Sequence, residues 1–361
     1  MEEEFSYIFF VPEILGELAS LLELEDICVP GYCPSVAGLY DPVSITYDMI
    51  VEGKKFVLLP DRNVTTRLSK AQQGMMDQSD RQFQIAAALL AFCQHMDIQI
   101  EPSIAMHELA HKQGNEEAWN ELAYVRAADN GDPIVWSSLG VGIFDPSPQP
   151  GKDFYENVGD LSYPLRRWNR NYIQVLKIAE IELYDLDLTP LEKIIKLIDW
   201  MESDFMLASP AAIFGAVYFA PRNPPRKKLI KNLRSSNRKM AIDGIKNAAW
   251  DLTHLSDFAK HVVQDVHGEY RYLFASFDKR LRLIASMLYC PNPEMELLDH
   301  TVSMLESWWP KSDSCVIVDR VLNFGNLVNN DEWMSKRPPR EDYISSFIGL
   351  GETSVMDYRP S

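Results

Sequence analysis

Lys55-Phe56-Val57-Leu58-Leu59 is a continuous apolar run that stops abruptly at Pro60-Asp61. A short run without polar alternation fits a strand buried on both faces, as the strands of parallel sheets are. Such a strand demands helical cover, and helical patterns follow it. Residues 64–73 and RQFQIAAALLAFCQH (81–95) carry apolar side chains at helical spacing. IQIEPSIAM then reads as a short strand containing a proline, and HELAHKQ as a helix ended by Gly114-Asn115. EEAWNELAYVRAADN (116–130) makes a further helix. Strand and helix alternate, which predicts a parallel α/β sheet.

Residues 131–170 break this rhythm, and DPSPQPGKD (145–153) has turn and linker chemistry. A long amphipathic stretch covers about 171–206, divided at Thr189-Pro190 as N-cap and first residue of its second helix. After 240, KMAIDGIKNAAWDLTHLSDFAKHVV is helical, YRYLFASF a strand and DKRLRLIASMLY a helix. The expected organisation is an α/β domain in two parts, 51–130 and 241–310, with a largely helical insertion over 131–240. Residues 1–50 are expected to be irregular with a short helix near 12–25. Residues 311–361 form a mixed tail in which KRPPRED is exposed.

Composition bounds the function classes. The 361 residues suffice for roughly two domains. Thirty-five Lys+Arg against 52 Asp+Glu leave a formal charge of −17, which favours solubility and opposes loose global binding to polyanions. A local basic groove stays compatible with that balance. Five cysteines are sparse and odd in number, so reduced thiols in a reducing compartment are expected. The Met-Glu-Glu-Glu start has the wrong charge for a signal peptide, and no apolar run approaches the ~20 residues of a membrane span. A cytoplasmic protein without membrane contact is the expectation.

Four acids sit where such a sheet can gather them. Asp61 directly follows KKFVLLP, Glu108 follows IQIEPSIA, Asp251 lies in the helical AAWDLTHL, and Asp278 follows YRYLFASF. The carboxyl ends of strands line the crevice where open α/β sheets bind ligands. Carboxylates gathered there repel one another unless a cation neutralises them, and oxygen ligands select Mg²⁺ or Mn²⁺. Two such ions are a standard device for phosphodiester hydrolysis. The plain alternative for Asp61 or Asp278 taken singly is helix N-capping.

These segments resemble a family. VLLPDRNV is similar to the opening of PIN-like ribonuclease domains: a hydrophobic strand ending in Asp, then a nearby Asn or Ser. PSIAMHELA resembles their second element, NAAWDLTHLSDFA the third acidic position, and FASFDKRLRLIA the fourth. The resemblance covers roughly 50–130 and 241–290. It implies a PIN-like fold in which Asp61, Glu108, Asp251 and Asp278 are catalytic and coordinate Mg²⁺ or Mn²⁺, with Asn63 in support. It also implies a nuclease, most readily on RNA. Such domains include toxin ribonucleases and phage-defence effectors, so an inhibitory or activating protein partner belongs to the same expectation.

His107-Glu108-Leu109-Ala110-His111 is also a formal HExxH motif. On a helix its two imidazoles share a face that can bind Zn²⁺ while the Glu polarises water. Glu117 stands where the metzincin pattern has its third His, and Glu121 is the other possible third ligand. A zinc metallopeptidase is therefore the rival expectation, although it leaves Asp61, Asp251 and Asp278 without a role. A non-catalytic interaction protein with a degenerate PIN-like fold is the third. Finally, residues 222–239 hold eight Lys/Arg and no acid. Arg226, Lys227, Lys228, Lys231 and Arg234 are the expected contacts to RNA or another nucleic acid. A solvated loop is the plain alternative. Tyr218, Phe219 and Trp250 can stack bases or pack in the core.

Overall fold

The structure is a computed structural model. It describes residues 12–145, 147–153, 159–222, 226–265, 267–292, 294–327 and 340–359. The chain divides into two compact units: residues 1–163 with 261–278, and residues 164–260 with 279–361.

The first unit holds a four-stranded mixed sheet of β1 (Cys28–Pro30), β2 (Lys55–Pro60), β3 (Gln99–Ile100) and β4 (Tyr270–Ala275), in the order β1-β4-β2-β3. β2 runs parallel to both neighbours, pairing Lys55 with Tyr270 through Pro60 with Ala275, and Val57 and Leu58 with Gln99 and Ile100. Five of its six residues are buried, as its apolar run requires. β1 is antiparallel to β4, pairing Cys28 with Ala275 and Pro30 with Leu273. The purely parallel sheet expected from the alternation is thus corrected at this edge. A three-residue strand ending in Pro is too short to show a period, and an edge is where a proline is tolerated.

Helices α1 (Glu13–Glu25), α2 (Pro42–Ile50), α3 (Arg62–Gln72), α4 (Arg81–His95), α5 (Ser103–Gln113), α6 (Asn115–Asp129) and α7 (Pro133–Gly140) complete this unit. Asp80 caps α4, accepting Gln82 N–H at 2.9 Å. Phe83 and all of Ile85–Cys93 are buried, so α4 is the central core helix. It lies against α1, α3 and α7. The approach of α7 to α4 depends on Gly140, where a Cβ would meet Ala88 Cα at 2.8 Å. Residues 12–50 and 133–140 therefore belong to the sheet's own unit, not to a separate segment and an insertion.

The second unit is helical, built from α8 (Arg166–Tyr184), α9 (Pro190–Ser203), α10 (Ser209–Phe219), α11 (Arg226–Leu229) and α12 (Arg238–Gln264, to Lys260). The later helices α13 (Lys279–Ser286), α14 (Leu297–Leu305), α15 (Lys311–Leu327) and α16 (Arg340–Asp357) join them. Thr189 and Glu192 form a reciprocal capping box, with Pro190 in the first turn of α9, as the sequence predicts. α8 packs on α16, and Tyr172 donates to Glu352 Oε1 at 2.6 Å. Trp168, Tyr172, Trp250, Tyr218 and Phe219 are all buried. Core packing is their role, and base stacking is excluded for the last three. The expected second sheet segment, 241–310, is accordingly divided: β4 stays with the sheet, while most of α12 and all of α13 join the helical unit. The start Met-Glu-Glu-Glu lies outside the described residues, as does KRPPRED apart from the backbone of its last three.

Candidate metal centre

The carboxyl ends of β2, β3 and β4 lie on one edge of the sheet because the three strands are parallel and in register. Asp61 N–H donates to Ala275 O at 2.8 Å, and Glu101 N–H donates to Leu58 O at 2.9 Å. The residues after each strand, namely Asp61, Ser276–Asp278 and the entry to α5, therefore meet at that edge.

Asp61 does cap α3: its Oδ1 accepts Arg62 N–H at 2.6 Å. The capping alternative is correct but incomplete. The other oxygen, Oδ2, accepts Asn63 Nδ2 at 2.5 Å and the Ser276 hydroxyl at 2.7 Å. Asn63 Nδ2 also reaches Ser276 Oγ at 3.2 Å, and Asn63 Oδ1 accepts Phe277 N–H at 3.0 Å. Ser276 Oγ in turn accepts Asp278 N–H at 3.0 Å. Two side chains separated by more than two hundred residues thus fix one carboxylate and the turn after β4. Asn63 itself is held from behind, its carbonyl accepting Arg67 Nη1 at 2.8 Å. Arg67 pairs with Asp80 at 3.4 Å and stacks over Phe277 at 4.9 Å.

Glu108 comes from α5, whose buried face is Ala105, Met106, Glu108, Leu109 and Ala110. A carboxylate oxygen of Glu108 lies within 4.8 Å of one from Asp61, and both residues are over nine-tenths buried. Lys112, one turn on, donates to Glu108 Oε1 at 2.7 Å. Its side chain keeps 31% exposure.

Of the four sequence-selected acids, Asp61 and Glu108 are brought together. Asp278 is tied by its main chain to the same serine, but its carboxylate does not lie within 4.8 Å of both others. Asp251 lies on α12 in the helical unit. His254, one turn beyond it, is buried.

The histidines of HELAH do not form the zinc arrangement. His107 Nδ1 is 2.7 Å from Leu161 O, where it fastens residues 159–162 to α5. Asn115 holds the same segment through Asp160 Oδ1 at 2.6 Å and Ser162 N–H at 2.7 Å. His111 is exposed, and among the described residues His107, His111 and Glu117 do not gather their ligand atoms within 4.8 Å. Residues 107 and 108 point about 100° apart on a helix, so burying Glu108 toward Asp61 turns the histidines elsewhere.

Glu121 on α6 accepts the Thr66 hydroxyl at 3.0 Å. Burial pushes its carboxyl above the usual range, against the smaller lowering effects of Thr66 and Arg62.

In the basic segment, Lys228 and Lys231 are exposed, but Arg234 donates to Glu182 Oε1 at 2.9 Å. That bond pushes the Arg234 guanidinium further above its ordinary value. The ion pair engages Arg234 while 51% of its side chain stays exposed. Arg238 is buried and donates to the carbonyls of Leu233, Ser235 and Val355. The side chains of Arg226 and Lys227 lie outside the described residues. All five cysteines are free thiols, and among the described residues no helix is long and apolar enough to cross a membrane.

No family model, curated protein or solved structure matches the chain.

Proposed function

We propose that this chain is a metal-dependent nuclease in which Asp61 and Glu108 hold Mg²⁺ or Mn²⁺ and the substrate is a phosphodiester, RNA in the first instance. The observation that carries this reading is the approach of two buried carboxylates to within 4.8 Å at the carboxyl edge of parallel strands. Burying two like charges side by side is costly, and a cation between them would offset that cost. Their donor atoms are oxygens, which suit Mg²⁺ or Mn²⁺. A divalent cation bound there supplies an activated water and neutralises charge on the phosphate.

The chain's own residues have separable tasks in this reading. Ser276 and Asn63 fix the direction of the Asp61 lone pairs, as outer-shell partners do around metal ligands. Lys112 holds Glu108 while the centre is empty of cation. In the reaction, a water oxygen bonds to phosphorus and gives up a proton to solvent, the P–O bond to the departing sugar oxygen breaks, and that oxygen takes a proton from solvent. Asp278 and Asp251 enter by the family resemblance alone, as do a toxin or defence role and a controlling protein partner.

The test is cleavage of end-labelled RNA and DNA with Mn²⁺, with Mg²⁺ and with EDTA, by the wild type, Asp61→Asn and Glu108→Gln. Wild-type cleavage must require the metal, and each variant should lose at least about a hundredfold in turnover. Cleavage that survives in both variants would overturn the proposal.

A further inference from the structure

We infer that Arg62 receives the non-bridging oxygens of the scissile phosphate beside the Asp61–Glu108 pair; the inference rests on the nuclease reading above. Arg62 opens α3 directly after Asp61, and its own N–H is fixed on Asp61 Oδ1 at 2.6 Å. Its side chain is half-buried, and its Nε is sealed from solvent with no hydrogen-bond partner. Among the described residues the guanidinium makes neither an ion pair nor a hydrogen bond.

This isolation is unusual for the sequence. Fifty-two acids outnumber 35 bases, so a spare arginine does not reflect a shortage of carboxylates. Arg67, on the same helix, shows the committed alternative: it is bound to Asn63 O, paired with Asp80 and stacked on Phe277. Glu121 feels the positive charge of Arg62, but its Oε1 accepts the Thr66 hydroxyl and it makes no ion pair with Arg62. The sealed Nε is shared with Arg67, but at Arg62 the terminal amines are not sealed and among the described residues have no acceptor, so they are the donors a ligand can reach.

The chemistry of that ligand follows from the group and its place. A guanidinium fork matches two oxygens of a phosphate, which a lysine cannot imitate. Charge on the non-bridging oxygens grows as phosphoryl transfer proceeds, so a fixed cation there acts more strongly on the transition state than on the bound substrate. Asp61 and Glu108 serve the cation; Arg62, one residue from Asp61, serves the phosphate.

The experiment uses the full chain with Mn²⁺, comparing the wild type with Arg62→Gln and Arg62→Lys. For Arg62→Gln, kcat on labelled RNA should fall by about a hundredfold or more, the usual loss when one transition-state donor is removed. Mn²⁺ affinity and the melting temperature should stay close to wild type. Arg62→Lys should recover only part of kcat, and millimolar guanidinium should partly restore Arg62→Gln. Inorganic phosphate titrated into the Mn²⁺-loaded protein should bind the wild type at least about tenfold more tightly than Arg62→Gln.

An active wild type with Arg62→Gln retaining kcat within about threefold overturns the role of Arg62 and leaves the nuclease reading intact. A kcat loss matched by lost Mn²⁺ binding or a lowered melting temperature assigns Arg62 a structural role and also overturns it. A wild type with no metal-dependent cleavage removes the nuclease reading, and this inference with it.

Discussion

Replacing Ser276 by Ala removes one oxygen from a site with 0% exposure, and at least three contacts go with it. The hydroxyl donates to Asp61 Oδ2 at 2.7 Å and accepts from Asp278 N–H at 3.0 Å and Asn63 Nδ2 at 3.2 Å. A hydrogen bond to a charged group contributes about 1.5–3 kcal/mol, and an unsatisfied buried N–H costs about 1–3 kcal/mol. Asn63 keeps its own bond to Asp61, so the two amounts do not add in full, and a loss of roughly 2–4 kcal/mol is expected. Urea denaturation followed by circular dichroism reads this directly. The same variant should weaken Mn²⁺ binding by about tenfold to a hundredfold, because Asp61 loses an orienting partner. Ser314 provides the control: it is also 0% exposed, but among the described residues its hydroxyl has no hydrogen-bond partner. Ser314→Ala should change stability by under about 0.5 kcal/mol, or raise it. If Ser276→Ala proves as neutral as Ser314→Ala, the hydroxyl does not hold Asp61 and the account of the centre's rigidity fails.

His111→Ala should leave cleavage within about tenfold of wild type, because an exposed histidine outside the carboxylate pair has no ligand to lose; loss of activity together with bound Zn²⁺ would restore the peptidase reading. Glu121 titrates above its usual value in the folded chain, so its ionised form disfavours folding. The stability advantage of Glu121→Gln should be absent well below pH 4.5 and grow as pH rises through the raised value, measured as urea midpoints across pH. Lys228→Ala with Lys231→Ala should weaken RNA binding and flatten its salt dependence while leaving kcat nearly unchanged; Arg234→Ala should instead destabilise the helical unit modestly, since Glu182 loses one cation and keeps Lys193 at 3.2 Å.

The parts legible in the sequence are those whose signal is local. β2 shows as an uninterrupted apolar run, α4 as a helical pattern with an Asp before it, and the α8–α9 division as Thr-Pro. β1 escapes because three residues carry no period and its partner, β4, is some 240 positions away. The unit boundary escapes because it depends on contacts such as Gly140 against Ala88, which no window of sequence contains. Asp61 is legible because it directly follows β2, whereas Glu108 lies inside α5, which begins at Ser103 within the run read as a strand. The Asn63–Ser276 latch needs the β2–β4 register, and the HELAH pattern misleads because burial of Glu108 decides which way that helix faces. Arg62 gives no sequence signal, since what sets it apart is a guanidinium that makes no ion pair or hydrogen bond among the described residues.

Calorimetric titration of Mn²⁺ into the wild type, Asp61→Asn and Glu108→Gln tests the metal centre most directly. The account predicts saturable binding to the wild type, competed by Mg²⁺, and a loss of at least about a hundredfold in affinity in each variant. Equal Mn²⁺ binding by all three proteins, or binding of Zn²⁺ that requires His107 and His111 but not Asp61, would contradict it.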